Sequence, residues 1–356
     1  MGKWGLGGPD SPGHPNRQGF DHWYGYLCQR VAHNYYPTHL WRNGEKDILE
    51  GNDYFYPHQR LPEDADPLDP EAYAPYTGPV YSMDAMAEEA RSFIRSHAGE
   101  PFFLYLPFPV PHAALQVPDD SLEEYEDAFG DTPYVGDRGY TPHPKPRAAY
   151  AAMVTRMDGE IGRILDLLEE LGLTEDTLVL FTSDNGPTFN GGTDSGFFDS
   201  TAGLRGLKTQ LYEGGIRVPF VARWPQRIPA GTVCDLPSGF WDFLPTFAEL
   251  LDVPLPVPTD GLSLLPALGA SDGPQKEHEY LYWEFQGRQA VRMEDWKAYR
   301  VADSGAFELF DLATDPGEAM DVSGEHPEVV ARITEIMAGA RTESELFPLV
   351  DSPQEL

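Results

Sequence analysis

Two long segments of the chain carry the periodicity of amphipathic helices. In the first, apolar residues recur on one face from Ser82 until Gly99, and in the second a stronger stripe ends at Gly172. Short apolar runs typical of buried strands lie at 102–106, 178–182 and 218–223, and a further helix is expected at 240–251. Because helices and strands alternate, the pattern predicts an α/β fold with a mostly parallel central sheet flanked by helices.

The pattern changes near residue 275, where short alternating segments replace the long apolar runs. These segments predict antiparallel strands at 281–285, 289–292, 298–301 and 307–311, followed by a closing helix at 327–339. Residues 1–80, by contrast, are typical of long loops with short strands, and residues 107–147 form a long Pro-rich loop. We therefore expect an α/β domain over residues 1–270 and a small antiparallel subdomain with a closing helix over 271–356.

The chain is strongly acidic: its 356 residues include 25 Lys and Arg against 58 Asp and Glu, for a formal net charge of −33. Such a surface repels phosphate backbones, which argues against nucleic acid as a partner. No run approaches the roughly 20 apolar residues that a membrane span needs. Two cysteines, Cys28 and Cys234, are too few for a disulfide framework or a zinc cluster, and nothing in the sequence indicates an oligomeric state.

Candidate chemistry lies at the ends of two predicted strands, where ligands bind in open α/β sheets. His112 follows the 102–106 segment, and Asp184 and Asn185 follow the 178–182 segment. An adjacent carboxylate and amide offer hard oxygen ligands, which suit Ca²⁺ or Mg²⁺ better than zinc. An ordinary Asp-Asn-Gly turn and a loop histidine without a special task are the alternatives that these residues leave open.

A basic cluster stands out in this acidic sequence. Arg205 and Lys208 precede a segment with paired glycines at 214–215, and Lys3 lies in a glycine-rich loop of its own. Glycine allows the backbone to approach a ligand closely, and the cationic groups would compensate an anion. The three side chains are therefore candidates for binding an anionic substrate, with solvated surface charges as the alternative.

Seven short passages of the sequence form an ordered set that spans nearly the whole chain. They are Gly2–Gly7, Gln18–Asp21, Met157–Gly162, Thr182–Gly186, Leu204–Lys208, Tyr212–Pro219 and Phe310–Glu318. Any one of them is a weak signal, whereas the ordered set is specific. On these passages the chain resembles the sulfatase family, within the alkaline-phosphatase-like superfamily.

The resemblance implies a hydrolase that cleaves small-molecule or glycan sulfate esters with a bound calcium ion. Asp184 and Asn185 match positions that bind Ca²⁺, while Lys3 and Lys208 match lysines that hold the sulfate and neutralise charge in the transition state. His112 matches a histidine placed near the leaving-group oxygen, which suits a general acid. The nucleophile of the family is a formylglycine made from the Cys or Ser of a Cys/Ser-x-Pro-x-Arg motif.

The sequence departs from the family pattern in two respects. It contains no Cys/Ser-x-Pro-x-Arg motif and lacks the aspartate pair that completes the calcium site. Because both precede the Gly-Lys-Trp loop in relatives, we expect an N-terminally truncated chain that is inactive alone, from a protein exported to the periplasm or the cell exterior. Gly5 stands where many relatives carry an assisting histidine. His33 is a candidate to replace it, with a structural histidine among tyrosines as the alternative.

Two other functions stay open at this point. A phosphodiesterase or phosphonate hydrolase of the same superfamily would share these passages, since motifs outside the nucleophile region separate the two chemistries poorly. A noncatalytic module that binds an anionic glycan or an ion without turnover is the third hypothesis, and it belongs to a different functional class.

Overall fold

The computed structural model describes residues 1–301 and 305–349, and the chain divides into two compact units. The first unit contains residues 1–174 and 188–194, and the second contains residues 175–187 and those from 195 onward. The boundary at residue 270 expected from the sequence is a different division and stays a prediction.

The first unit contains a four-stranded sheet. Its strands are β1 (Gly2–Lys3), β2 (Tyr24–Tyr26), β3 (His39–Arg42) and β4 (Glu45–Ile48), which pair in that order. β1 runs parallel to β2, with Lys3 opposite Tyr26, and the other two pairs are antiparallel. Glycine at position 25 permits the close approach of the first two strands, since a Cβ atom there would lie 2.0 Å from the Gly2 carbonyl oxygen.

Helices of the first unit bury the apolar stripes seen in the sequence. They are α1 (Ser82–Ser96), α2 (Asp119–Leu122) and α3 (Pro146–Glu170), with 3₁₀ turns at Pro15–Arg17, Val31–His33, Pro70–Tyr76 and Glu123–Tyr125. Met83 and Met86 on α1 and Met153 on α3 are fully buried. Glu160 of α3, also buried, forms an ion pair with Arg91 of α1. Both helices predicted before residue 175 are thus confirmed, and they pack against one another.

The prediction of a buried strand at 102–106 is wrong. The segment does not form a strand. It contacts the start of the chain through two hydrogen bonds, from the Met1 amino group to Tyr105 O at 2.5 Å and from Lys3 N to Pro107 O at 2.9 Å. The apolar run suggested burial, yet Phe103 and Tyr105 have 61% and 47% of their surface exposed. Two bonds to a two-residue strand are too few to define a ladder.

The second unit begins with a two-stranded sheet. β5 (Val179–Thr182) and β6 (Phe220–Arg223) pair antiparallel, and α4 (Glu213–Ile216) lies between them in the chain. A 3₁₀ turn at Phe240–Asp242 leads into α5 (Phe243–Leu250). These elements confirm the predicted strands near 178–182 and 218–223 and the predicted helix near 240–251.

A four-stranded antiparallel sheet and a helix complete the second unit. The elements are β7 (Leu281–Phe285), β8 (Arg288–Met293), β9 (Trp296–Val301), β10 (Phe307–Asp311) and α6 (Pro327–Gly339). The sheet order is β10-β9-β8-β7. Val291, Ala298 and Leu309 from the sheet pack against Ile333 and Met337 of α6. The predicted small antiparallel sheet with a closing helix is confirmed.

The α/β class is confirmed, but the strands are not mostly parallel as the sequence pattern predicts. Among the described residues, β1 and β2 are the parallel pair and every other pairing of named strands is antiparallel. Alternation of helix and strand predicts parallel strands when each helix crosses over within one sheet. Here β5 pairs antiparallel with β6, so that sheet contains no such crossover. Within 1–301 and 305–349, no helix has the length and apolar character that crossing a membrane would require.

Candidate active site

The loop that follows β5 carries the predicted cation ligands. Ser183 Oγ donates a hydrogen bond to Asn185 O at 2.9 Å, and Asn185 Nδ2 donates to Gly186 O at 2.9 Å. The side-chain carbonyl oxygen of Asn185 is therefore the atom of that amide left for a cation. Asp184 is exposed, and its carboxylate makes no hydrogen bond or ion pair with any residue that the structure describes. The loop thus presents two adjacent hard oxygen donors.

Glycine backbones pack this loop against the chain around α4. Gly186 N donates to Gly215 O at 3.0 Å, and a Cβ atom on residue 186 would lie only 1.9 Å from the Gly214 carbonyl oxygen. A Cβ on residue 214 would in turn lie 2.7 Å from Arg205 O. Any side chain at these positions would force the segments apart, so the contact between them requires glycine.

Lys208 is tied by its backbone to the same loop. Its amide nitrogen donates to Pro187 O at 2.8 Å, one residue after Gly186. Gly214 N donates to Arg205 O at 2.7 Å, which fixes the start of the Arg205–Lys208 segment. The structure therefore brings Asp184, Asn185 and Lys208 onto adjoining loops of one unit.

Arg205 contacts protein groups rather than an open surface. Its guanidinium lies 3.9 Å from the centroid of the Tyr212 ring and donates to Glu318 O at 2.9 Å. It also pairs with Glu308 of β10 at 3.5 Å. These contacts favour a role in holding the loop to the C-terminal sheet over the predicted contact with substrate, which stays a prediction. Burial and the neighbouring Glu308 raise the pKa of Tyr212, so its hydroxyl stays protonated as a donor.

A buried ion cluster lies beneath the paired glycines. Glu213, the first residue of α4, is 3% exposed and pairs with the fully buried Lys297 of β9 at 2.7 Å. Lys297 also lies 3.6 Å from Glu318, which is itself fully buried and accepts a hydrogen bond from Glu213 N at 2.7 Å. Burial raises the pKa of Glu318. Lys297 could not be predicted from local sequence, because its partners lie 84 and 21 positions away in the chain.

The first unit assembles three imidazoles. His33 Nδ1 lies 2.8 Å from His58 Nε2, and the His33 ring stacks on that of His112 with centroids 4.8 Å apart and planes 12° from parallel. The Tyr140 ring lies within 5.6 Å of all three. The structure thus brings the predicted His33 and His112 together. His58 was not predicted, since it belongs to no recognisable motif.

His112 is held at a fixed position in its loop. The fully buried Tyr35 hydroxyl lies 2.9 Å from Pro109 O and 2.8 Å from His112 O, and its single proton is shared between these two acceptors. His112 Nδ1 hydrogen-bonds to the backbone oxygen of Ala113. Because a carbonyl can only accept, Nδ1 carries a proton and Nε2 is the reactive nitrogen of the ring.

Lys3 lies on β1 of the same unit, with a half-buried side chain. Its ammonium forms no ion pair or hydrogen bond with the residues described by the structure, and it is open to an anion. Within those same residues, no group of three or more His, Cys, Asp or Glu side chains has the arrangement of a metal site. A cation at Asp184 and Asn185 would therefore need further ligands.

Comparison with known proteins gives two family matches. A model described as Sulfatase matches residues 1–253, and one described as N-sulphoglucosamine sulphohydrolase, C-terminal, matches residues 197–343. The chain is 30% identical to an N-acetylgalactosamine-6-O-sulfatase of Bacteroides thetaiotaomicron, over 73% of this chain and 51% of that protein. It is 32% identical to the steryl-sulfatase of Mus musculus, over 71% of this chain and 42% of that protein. The chain thus spans about half the length of these curated relatives.

Solved structures agree with this result. The crystal structure of Ps i-CgsB in complex with k-i-k-neocarrahexaose aligns with a TM-score of 0.70 and 27% identity, covering 95% of this chain and 69% of that chain. The putative sulfatase yidJ from Bacteroides fragilis, at 21% identity and a TM-score of 0.64, shares the fold over 94% of this chain and 72% of its own. With a family match over residues 1–253, this chain belongs to the sulfatase family.

Proposed function

We propose that the protein hydrolyses sulfate esters, and that this chain supplies the cation ligands, the lysines and the imidazoles of the reaction. The observation that carries the proposal is the backbone packing of the second unit. It fixes the Asp184–Asn185 loop against Lys208 through the bond from Lys208 N to Pro187 O. A divalent cation at one side of a sulfate and an ammonium at the other is the arrangement that a tetrahedral oxyanion requires.

The oxygen donors of the loop after β5 supply part of the ligand shell that a hard cation needs. Asp184 and Asn185 would hold Ca²⁺, with Mg²⁺ as the alternative, through two adjacent oxygens. Because Ca²⁺ takes about six to eight oxygen ligands, other donors must complete its shell. When bound, the ion would withdraw charge from the sulfate oxygens and so assist attack on sulfur. Lys208 and Lys3 would hold further sulfate oxygens.

The imidazoles provide acid–base chemistry in this proposal. With Nδ1 bound to the Ala113 oxygen, the protonated His112 ring offers its Nε2 proton to the leaving oxygen of the ester. The stacked His33 ring, when neutral, stabilises that imidazolium through its π face. A formylglycine nucleophile of the family type would supply the attacking oxygen, and this chain has no Cys/Ser-x-Pro-x-Arg motif that could form it.

We infer the class of substrate from the names of two relatives. The Bacteroides thetaiotaomicron relative is an N-acetylgalactosamine-6-O-sulfatase, and Ps i-CgsB was solved with a neocarrahexaose. These names support a sulfated glycan as substrate, with a small sulfate ester as the alternative. Export to the periplasm or the cell exterior stays an expectation from the family resemblance.

Asp184→Ala will weaken Ca²⁺ binding by at least about tenfold, because it removes a carboxylate ligand and leaves a single amide oxygen. Calorimetric titration of Ca²⁺ into the wild-type chain and the variant measures the change. Asp176→Ala, which removes an exposed carboxylate near the start of β5, is the matched control and keeps the wild-type affinity. Equal affinities for wild type and Asp184→Ala would show that the cation binds elsewhere.

We expect the 356 residues alone to leave nitrocatechol sulfate unhydrolysed, because the chain contains no formylglycine precursor motif. Calcium-dependent release of nitrocatechol from this chain would contradict that expectation. The phosphonate monoester hydrolase SpPMH from Silicibacter pomeroyi, at 21% identity and a TM-score of 0.57, shares the fold alone. Binding of inorganic phosphate in clear preference to sulfate would favour the phosphoryl-transfer alternative.

A further inference from the structure

The bond between His33 and His58 imposes a constraint on both rings. Their facing nitrogens, His33 Nδ1 and His58 Nε2, lie 2.8 Å apart, which is hydrogen-bonding distance. One proton must therefore lie between them, since two lone pairs at this distance repel and two N–H groups collide. Which ring carries the proton decides which tautomer His33 adopts.

Several contacts favour His58 as the acceptor. Burial, together with the charge of nearby Arg30, lowers the pKa of His58, so the ring is neutral at pH 7. Its Nδ1 makes no hydrogen bond with the described residues, so a proton on Nδ1 meets no competing donor among them. A neutral ring with a proton on Nδ1 accepts at Nε2.

We propose that His58 is a positioning residue for His33: it accepts the Nδ1 proton of His33 and so makes His33 Nε2 the basic nitrogen of the pair. This inference rests on the proposed function, because the base would serve the sulfate ester reaction. It assigns to His33 the task of the histidine that Gly5 replaces. His112 has the same arrangement, with Nδ1 bound to a carbonyl and Nε2 left reactive.

The proton can be followed through this arrangement. His33 Nε2 would accept the proton of the hydroxyl that attacks sulfur, while the bond from sulfur to the leaving oxygen breaks and that oxygen takes a proton from His112. The imidazolium that forms keeps its Nδ1–H donated to His58 Nε2, which stabilises the positive charge. After the reaction His33 Nε2 returns the proton to water, so that no net charge accumulates on the pair.

The surroundings of the pair contain few other charges. Arg30 hydrogen-bonds to the Tyr56 hydroxyl, and the Tyr56 and Tyr140 rings face His58 at centroid distances of 5.9 and 4.7 Å. The His112 ring stacks on His33 and, when protonated, disfavours a positive charge on that ring. Further charges on the same loops are Arg60, Asp137 and Arg138. Burial raises the pKa of Tyr140, so this phenol stays neutral while the histidines titrate.

Tyr140 holds the pair in place. Its backbone has φ of 68°, and residue 191 packs so close that a Cβ there would lie 3.0 Å from the Tyr140 ring and 2.5 Å from Ala113 Cβ. Gly191, with φ of 64°, can adopt this conformation without strain. The ring that contacts all three imidazoles is therefore held by the same segment that borders the His112 loop.

Nitrogen-15 NMR of histidine-labelled 356-residue chain tests the proposal. In the wild type we expect His33 as the Nδ1–H tautomer. In His58→Ala the loss of the acceptor should lower the titration midpoint of His33 by at least about 0.5 pH unit and mix its tautomers. In His58→Gln the side-chain oxygen can accept the same proton, so both the midpoint and the tautomer should return to wild-type values.

His39→Gln, a half-buried histidine on β3 outside the cluster, is the control and should leave His33 unchanged. If His58→Ala does not fold, the wild type and His58→Gln still test the proposal. Finding His33 as the Nε2–H tautomer in either of these two proteins overturns it. An unchanged His33 midpoint in a folded His58→Ala also overturns it. Failure of the chain to bind sulfate would refute the proposed function while leaving these NMR results intact, so the two failures are distinguishable.

Discussion

Lys297→Met will lower the free energy of unfolding by about 3–5 kcal/mol, the cost of removing the nearest cation from two buried carboxylates. Glu213 then keeps the longer contacts to Arg292 at 3.7 Å and Arg217 at 4.0 Å. Lys297 is fully buried between Glu213 at 2.7 Å and Glu318 at 3.6 Å, and both carboxylates are at most 3% exposed. Methionine keeps most of the volume and removes the ammonium. The two carboxylates would then face each other in a site that water does not reach.

Urea unfolding monitored by tryptophan fluorescence measures this effect. Lys276→Met, at an exposed position of the same unit, is the matched control and should change stability by less than about 0.5 kcal/mol. The triple variant with Glu213→Gln and Glu318→Gln should recover much of the loss, because it removes both buried negative charges as well. A Lys297→Met chain as stable as the control would mean that the cluster does not hold α4 to the C-terminal sheet.

The sign of the pH dependence follows from Glu318. Burial already raises its pKa, and loss of the Lys297 charge would raise it further. A carboxyl whose pKa is higher in the folded state than in the unfolded state binds a proton on folding, so stability increases as pH falls. The deficit of Lys297→Met relative to wild type should therefore shrink from pH 7 toward pH 5.

Gly186→Ala will separate the cation-binding loop from α4, with an expected loss of about 1–3 kcal/mol in stability and at least about a tenfold loss in Ca²⁺ affinity. The added methyl would lie 1.9 Å from the Gly214 oxygen and 3.0 Å from Gly215 Cα. Neither group is a flexible side-chain end, so the backbone must move. Movement here breaks the bond from Gly186 N to Gly215 O and displaces Asp184 and Asn185.

Gly324→Ala provides the control for this substitution. An added Cβ there meets nothing within 4 Å, and the residue is exposed in the same unit. We expect its stability to stay within about 0.5 kcal/mol of wild type and its Ca²⁺ affinity to be unchanged. If Gly186→Ala binds Ca²⁺ as tightly as Gly324→Ala, the packing of the two backbones does not position the cation ligands.

Sequence patterns were sufficient where the signal is local. The stripes of α1 and α3 and the alternating segments of β7–β10 predict their elements, because each buries one face of a single helix or sheet. The ordered short passages single out Asp184, Asn185 and Lys208 as candidate site residues, and their shared role stays a prediction. Periodicity failed at 102–106, since an apolar run does not by itself reveal whether a partner strand covers it.

Contacts between distant segments could not be predicted. Lys297 meets Glu213 across 84 positions of the chain, and His58 meets His33 across 25 positions from a loop without regular structure. Arg205 looked like an anion-binding residue because its surroundings in the sequence are glycine-rich. Its guanidinium contacts instead depend on Glu308 and Glu318, more than 100 positions away. Local composition carries no information about such partners.

Calorimetric titration of inorganic sulfate into the 356-residue chain, with saturating Ca²⁺ and with a chelator, tests the central claim most directly. We predict that sulfate binds in saturating Ca²⁺ and that its affinity falls at least about tenfold when the chelator removes the ion. In Lys208→Ala the sulfate affinity should fall about 10- to 100-fold, because a charged hydrogen bond is lost. Lys276→Ala should bind like wild type. Sulfate binding that is indifferent to both Ca²⁺ and Lys208 would contradict the shared site.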